Sequence, residues 1–402
     1  MPAVRMISRL REPSPLRHKV DSPVAARSRQ LFAYVAATEN RTLPSASLLA
    51  DRIEHYLHSE QFSEQPCRKP ATEAELSRTF GVGRRLVRQA SRLLQQRGIA
   101  RPQRGGGGTG GLKPSAPEPM QVAQALADAV RQESTQRAMD DARSFLQPLI
   151  SADSGQLAGL LRGTLKCLES GAMQDGAPVP SGGQAWRLAE ELSQRMRQTP
   201  STPDALFLGS LDSIALEHET SLEIAVEAIR LLEDRQTVVL RRGRAGGVFA
   251  TTGSTSQAAR MANALFATGG VSTDECQRML SAINVEMINL AARRSTPAAL
   301  ERIRGALQVM AEAKTATEVG IGWYPLQREF ATMADSPVLH LLSRCLAASL
   351  LLRRLCTADI PDAGARELLD ASRTIADNLA RGDAGGNAHE HWRCQQVFAR
   401  HW

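Results

Sequence analysis

The chain has 402 residues, too many for one ordinary domain and enough for two to four. Hydrophobic residues make up 42% and charged residues 23%, the balance of a globular protein with real cores, while aromatics at 4% leave little for base-stacking RNA modules. The net charge of +7 is uneven: residues 1–118 carry 20 Lys and Arg against 10 Asp and Glu, and the remainder carries 29 against 32, which places a polyanion-binding head on a near-neutral body. No apolar run reaches the ~18–20 residues of a membrane span. Residues 1–20 lack the apolar stretch of a secretory leader, so a cytoplasmic protein is expected. The six cysteines form no CxxC pair, which argues against a zinc ribbon, a redox motif and a disulfide scaffold.

In chain order, residues 1–40 are rich in Arg, Pro and Ser and are expected to form a disordered arm. A first module is expected over 41–115. It begins with a helix over 48–57. A second helix follows over 71–80, where Thr72 suits an N-cap and Glu75, three residues on, completes a capping box. Gly81, Val82 and Gly83 make a tight turn into a third helix over 84–97. On that helix Leu86, Ala90, Leu93 and Leu94 share one apolar face, and Arg84, Arg88 and Arg92 recur every four residues on the other, with Arg85 beside them. Two short strands over 99–112 flank Arg104 and the run of glycines after it. This order is that of a winged helix-turn-helix, whose third helix enters the major groove by its N-terminal turn.

The expected contacts to DNA are Arg84, Arg85 and Arg88, the helix start at Thr72, and the wing at Arg104, Gly106 and Gly107, where missing side chains permit close approach to a backbone or minor groove. The alternative, a solvated helix face with acidic partners one turn away, is disfavoured because residues 84–97 contain no acid.

Residues 118–172 show helical periodicity and are expected to be a helical connector or a truncated effector domain. A Gly/Pro-rich linker follows at 174–183. The segment 185–253 repeats the first module. Arg92-Leu-Leu-Gln-Gln-Arg97 returns 138 positions later as Arg230-Leu-Leu-Glu-Asp-Arg235, and Arg104, Gly105 and Gly108 fall on Arg242, Gly243 and Gly246. In this second copy Leu222 and Val226 replace Arg84 and Arg88, Glu223 and Glu227 add negative charge, and 8 Arg stand against 10 acids. A degenerate module is expected, with Arg241, Arg242 and Arg244 left for weak contacts to a DNA backbone. From 255 to 402 the chain is expected to form a helical bundle, with a buried core helix over 338–352. The fold expected is mainly α, two winged helix-turn-helix modules followed by an all-helical effector and dimerisation bundle.

The string Ala71-Thr-Glu-Ala-Glu-Leu-Ser-Arg-Thr-Phe-Gly-Val82, continued by Gly83-Arg-Arg-Leu-Val-Arg-Gln-Ala90, resembles the GntR family of bacterial transcription regulators. The resemblance places Arg84 and Arg88 where the family's two DNA-contacting arginines stand, and Gly83 departs from the usual Ser or Thr. The C-terminal helices resemble the FadR-like (FCD) branch, best over 280–310. That branch often holds a metal through an Asp and three His. Aligned on Ser336-Pro337, this chain has Trp323, Gln327 and Ser372 at three of those positions, and His389, His391 or Cys394 at the fourth, so no metal and no cofactor is expected. The His389/His391 pair is expected to be a solvated helix start.

The chain lacks HExxH, GxSxG, a phosphate loop with its lysine and a Cys/His cluster, so no enzyme is expected. The resemblance implies a sequence-specific regulator that binds double-stranded operator DNA as a homodimer through its bundle, with a small-molecule effector of unknown identity. The alternative is a nonspecific or architectural DNA-binding protein.

Overall fold

The computed structural model describes residues 45–61, 71–103, 110–131, 134–151, 155–170, 183–198, 206–235, 237–241, 243, 246–251, 255–268, 270–353, 361–383 and 385–401. The arm at 1–40 and the linker at 174–182 lie outside them. In the first copy, α1 (Ser45–Gln61), α2 (Glu73–Phe80) and α3 (Arg84–Gln96) precede the antiparallel pair β1 (Ala100–Gln103) and β2 (Gly111–Pro114), and α4 (Pro119–Arg131), α5 (Gln136–Ser151) and α6 (Gln156–Ser170) follow. In the second, α7 (Gln184–Gln198), β3 (Phe207–Gly209), α8 (Leu211–Glu217), α9 (Leu222–Asp234), β4 (Val238–Arg241) and β5 (Gly247–Ala250) lead into α10 (Thr255–Thr268). The chain ends with α11 (Thr273–Arg293), α12 (Pro297–Ala311), α13 (Ala316–Ala334), α14 (Pro337–Arg353), α15 (Asp362–Arg381) and α16 (Asn387–His401).

Helix ends follow from local chemistry. The capping box of Thr72 and Glu75 is formed at the start of α2, and Gly81 ends that helix with φ 63°, a left-handed conformation that costs glycine little. Ser210, Ser221, Ser272, Thr296 and Thr315 cap five later helices with side-chain oxygens, and Pro297 occupies the first turn of α12. In the second copy the residue equivalent to Gly81 is Glu219, at φ 48°. A side chain in this region costs on the order of 1–2 kcal/mol.

β3 is an element that alternating hydrophobicity did not reveal, because it is three residues long. It pairs with β5, Gly209 opposite Val248. Ala71 makes the matching single bridge to Leu112 in the first copy.

Two cores result. One gathers the apolar faces of both three-helix heads: Ile53, Leu76, Val87, Ala90 and Leu94 with Leu192, Ile214, Ala228 and Leu232. The other joins α4–α6 to the C-terminal helices, with Leu126, Leu146, Leu160 and Leu161 packed among Phe266, Ile283, Phe330 and Leu339. The helices over 118–172 are therefore built into the bundle. α14 packs against α4, α5, α10 and α11, as expected of a buried core helix, and Arg294 pairs with Asp141 across the same joint.

A buried ion cluster fastens the two heads together. Arg97, at the end of α3, is 2% exposed and forks onto Asp234 of α9 at 2.7 and 2.9 Å. It also meets Asp51 at 2.9 Å and Glu54 at 3.1 Å on α1. Arg260 of α10 reaches Asp51 at 3.3 Å and Glu54 at 3.9 Å. Burial alone would raise the Asp234 carboxyl, but the Arg97 charge and hydrogen bond, with a bond from Ser47, hold it below its ordinary value. Burial pushes the Glu54 carboxyl up to about 7, against the pull of Arg97 and Arg260. With Glu54 protonated, two guanidinium groups face two carboxylates.

Arg97→Ala removes the shared partner of three acids. The expected loss is about 3–5 kcal/mol of unfolding free energy, read from denaturant titration. Glu54 keeps its proton in the folded protein between its ordinary value of 4.5 and about 7. Its contribution is therefore full below the lower value and lost as pH rises through the upper one. Glu54→Gln should flatten this component, so that the mutant gains stability over wild type as pH rises from ~5 to ~8, by on the order of 1–3 kcal/mol.

Candidate nucleic-acid interface

The turn at residues 81–83 sets α3 after α2. The Ser77 hydroxyl donates to the Val82 carbonyl, and the Gly81 N–H reaches the Ser77 carbonyl, so the turn is pinned to the end of α2. α3 then buries Val87, Ala90, Leu93 and Leu94, with Leu86 half-buried. Arg84, Arg85, Arg88 and Arg92 are all exposed. The apolar and cationic faces thus separate as the spacing predicts. Gly83 is the N-cap of α3 and supplies no side-chain oxygen, so the first-turn amides have no cap and suit an anion.

Arg88 donates through Nε to Glu73 of α2 at 2.9 Å. Counting acids along α3 missed this partner, which stands 15 residues earlier on a neighbouring helix. Both side chains are about half exposed, at 62% and 47%, so the pair contributes ~0–1 kcal/mol and is screened by salt. It orients Arg88, and a phosphate would compete with the carboxylate.

Thr72 sits at the opposite end of α2 from the turn. Its hydroxyl accepts from the Glu75 N–H and donates to the Glu75 carboxylate, and its own N–H donates to the same carboxylate. The hydroxyl is thus occupied by the cap.

Of the wing residues, Arg104, Gly106 and Gly107 lie outside the described residues, as do Arg242 and Arg244. The described part of the wing adds two cations that the sequence reading passed over. Arg101 and Lys113 stand directly opposite each other across β1 and β2, and both are exposed. Like charges at such a cross-strand pair repel unless an anion lies between or above them. Their signal was register: each is unremarkable alone, and only hairpin pairing brings them together.

The second copy offers a different face. Leu222 is 48% exposed and Leu216 82%, Glu223 is exposed, and Val226 and Glu227 are half-buried. Arg241 lies over the Phe249 ring, 4.4 Å from its centre, and Phe249 in turn lies against Phe207 at 5.1 Å. That cation–π contact holds the arginine on β4.

In the bundle, Trp323 and Ser372 lie in one region with His391 and Cys394. Trp323 lies against Phe398, ring centres 4.8 Å apart and tilted by 50°, and stands 6.1 Å from the His391 ring, and Ser372 meets Cys394 at 4.0 Å. The expectation of a solvated pair at 389 and 391 is corrected for one member: His389 is exposed, but His391 is fully buried, because the helix turns it toward Trp323 and away from solvent. Burial lowers its pKa to about 4, so it is neutral near pH 7, and raises the Cys394 thiol to about 12. No group of three or more His, Cys, Asp or Glu suited to a metal occurs among the described residues. Nor is any described helix long and apolar enough to cross a membrane.

No protein-family model matches the chain, and no curated protein matches it. Among solved structures it is similar to Streptococcus agalactiae GntR, at 15% identity and a TM-score of 0.38, over 54% of this chain and 99% of that one.

Glu73→Gln deletes the carboxylate beside Arg88 and one negative charge from the face proposed below to meet DNA. Affinity for duplex DNA should rise about two- to tenfold at low salt, the scale of one removed surface charge, as measured by fluorescence anisotropy; unchanged or weaker binding would place the DNA elsewhere.

Proposed function

We propose that the protein is a sequence-specific, DNA-binding transcription regulator of GntR type, acting in the cytoplasm and carrying no catalytic site. The first copy is the reading head, a winged helix-turn-helix over 41–115. One observation carries this reading: four arginines stand exposed along one side of α3, starting at its uncapped N-terminus, while the other side is buried in the head. A face of one sign repels itself unless a polyanion neutralises it. Arginine forks suit both phosphate and guanine edges, and the Arg101/Lys113 pair places further positive charge on the wing. Thr72 contributes through its position at a helix start, and Arg104, Gly106 and Gly107 through the wing tip.

The second copy, over 185–253, is a winged helix-turn-helix that has lost its reading residues. Arg241, Arg242 and Arg244 remain for contacts to a phosphate backbone. The bundle over 255–402 resembles the FCD branch without that branch's metal ligands and is the place for an effector. His391 Nδ1 and Gln327 Nε2 are buried polar atoms without a partner among the described residues, and such atoms cost ~1–3 kcal/mol unless something meets them.

Selection of bound duplexes from a random pool tests the reading. Wild type should enrich a defined sequence, and Arg84→Ala with Arg88→Ala should lose it, each substitution costing ~1–3 kcal/mol of specific binding. Binding without enrichment, fading steeply as salt rises, would favour a nonspecific or architectural protein instead.

A further inference from the structure

We infer that one chain is the complete DNA-reading unit, with its two-fold axis built from the two internal copies, and that its ligand is a single, non-palindromic duplex site occupied by one chain. This rests on the DNA-reading function proposed for the first copy.

The copies correspond element by element. α3 and α9 each have 13 residues and differ by 138 positions at both ends, and β1 and β4 each have 4 residues at the same offset. α4 and α10 begin 136 positions apart, because the second wing is two residues shorter. In sequence order α1, α2, α5 and α6 fall on α7, α8, α11 and α12, and α13–α16 belong to the second copy alone.

Equivalent elements also touch each other. α3 packs against α9, and α4 packs against α10. Contact between like parts is the mark of an isologous, two-fold interface. Here it joins two halves of one chain. The Arg97–Asp234 fork lies on it, at the C-terminal ends of α3 and α9, so both helices keep their N-terminal turns away from the joint. The apolar faces of α4–α6, through Val122, Leu126, Leu146 and Leu161, are already covered by the chain's own bundle. A second chain is not needed to bury them.

The joint brings like elements together but differs in chemistry on its two sides. Arg84, Arg85 and Arg88 of one head stand where the other has Leu222, Glu223 and Val226. Two identical heads on a two-fold axis read an inverted repeat. A pair in which one head alone carries arginines over the N-terminal half of the helix reads a single half-site, and its other head offers the neighbouring backbone Arg230, at the place of Arg92, and its wing cations.

The test uses full-length protein and the duplex it selects, with the mass of the complex measured in solution and the footprint mapped. Expected is one unrepeated element and one chain per duplex, lost in Arg84→Ala/Arg88→Ala. A second variant, Leu222→Arg with Val226→Arg, restores arginines to the second head and should select an inverted repeat with still one chain per duplex. An inverted repeat filled by two wild-type chains would overturn the inference and leave the DNA-reading function standing. An absence of any selected sequence would overturn both. Failure of the graft to fold leaves the wild-type mass measurement decisive.

Discussion

The arrangement of this protein depends on one buried guanidinium. Arg97 occupies the point where α1, α3 and α9 meet: it donates twice to Asp234 and once to Glu54, and it pairs by charge with Asp51, so acids from both heads share it. Removing two charges and more from water is expensive, and a buried ion pair seldom adds net stability over apolar packing. What it provides is selectivity among packings: any slip of one head against the other leaves a charge unpaired in a dry site. The equivalent residue in the second copy, Arg235, meets Glu190 at 3.4 Å and is 28% exposed. Only one of the two equivalent arginines is thus committed to the joint, because Asp234 faces it while Gln96 stands at the matching place in the first copy.

Fixing α3 by its C-terminal end has a consequence for the DNA-reading role proposed for it. The buried half of α3 is immobilised by Arg97, Leu93 and Leu94, and the half that carries Arg84 and Arg85 projects from a rigid base. Positioning of this kind reduces the side-chain and backbone freedom that must be lost on binding a groove. The Glu73–Arg88 pair extends the same ordering to one arginine, at the cost of a carboxylate close to where phosphate would sit.

The two copies show which residues a fold needs and which it leaves open. Val87, Ala90, Leu93 and Leu94 are buried in the first head, and Ala225, Ala228, Leu231 and Leu232 are buried at the equivalent places in the second. Volume and hydrophobicity at these positions preserve the three-helix frame. Surface positions carry no such constraint, so one frame carries arginine where the other carries leucine and glutamate. The strain of Glu219 at a left-handed turn is of the same kind: the second head keeps the turn and tolerates its cost.

Periodicity, capping residues and the repeat were enough to determine the helices, the glycine turn, the hairpins and the face of α3 that carries cations. These are local properties, set by residues within one or two turns of each other, and the net positive charge of the first module follows from counting alone. Tertiary structure decided what depends on distant residues. Glu73 meets Arg88 from another helix, Arg101 meets Lys113 only through strand register, His391 is buried by a helix some 70 positions earlier, and α4–α6 join a core whose other wall is far along the chain. The repeat was legible as an alignment of letters. That its two halves clasp each other around Arg97 and Asp234 was not, because a buried charge is stable only where the fold brings its counter-charges, and no spacing along the chain records that meeting.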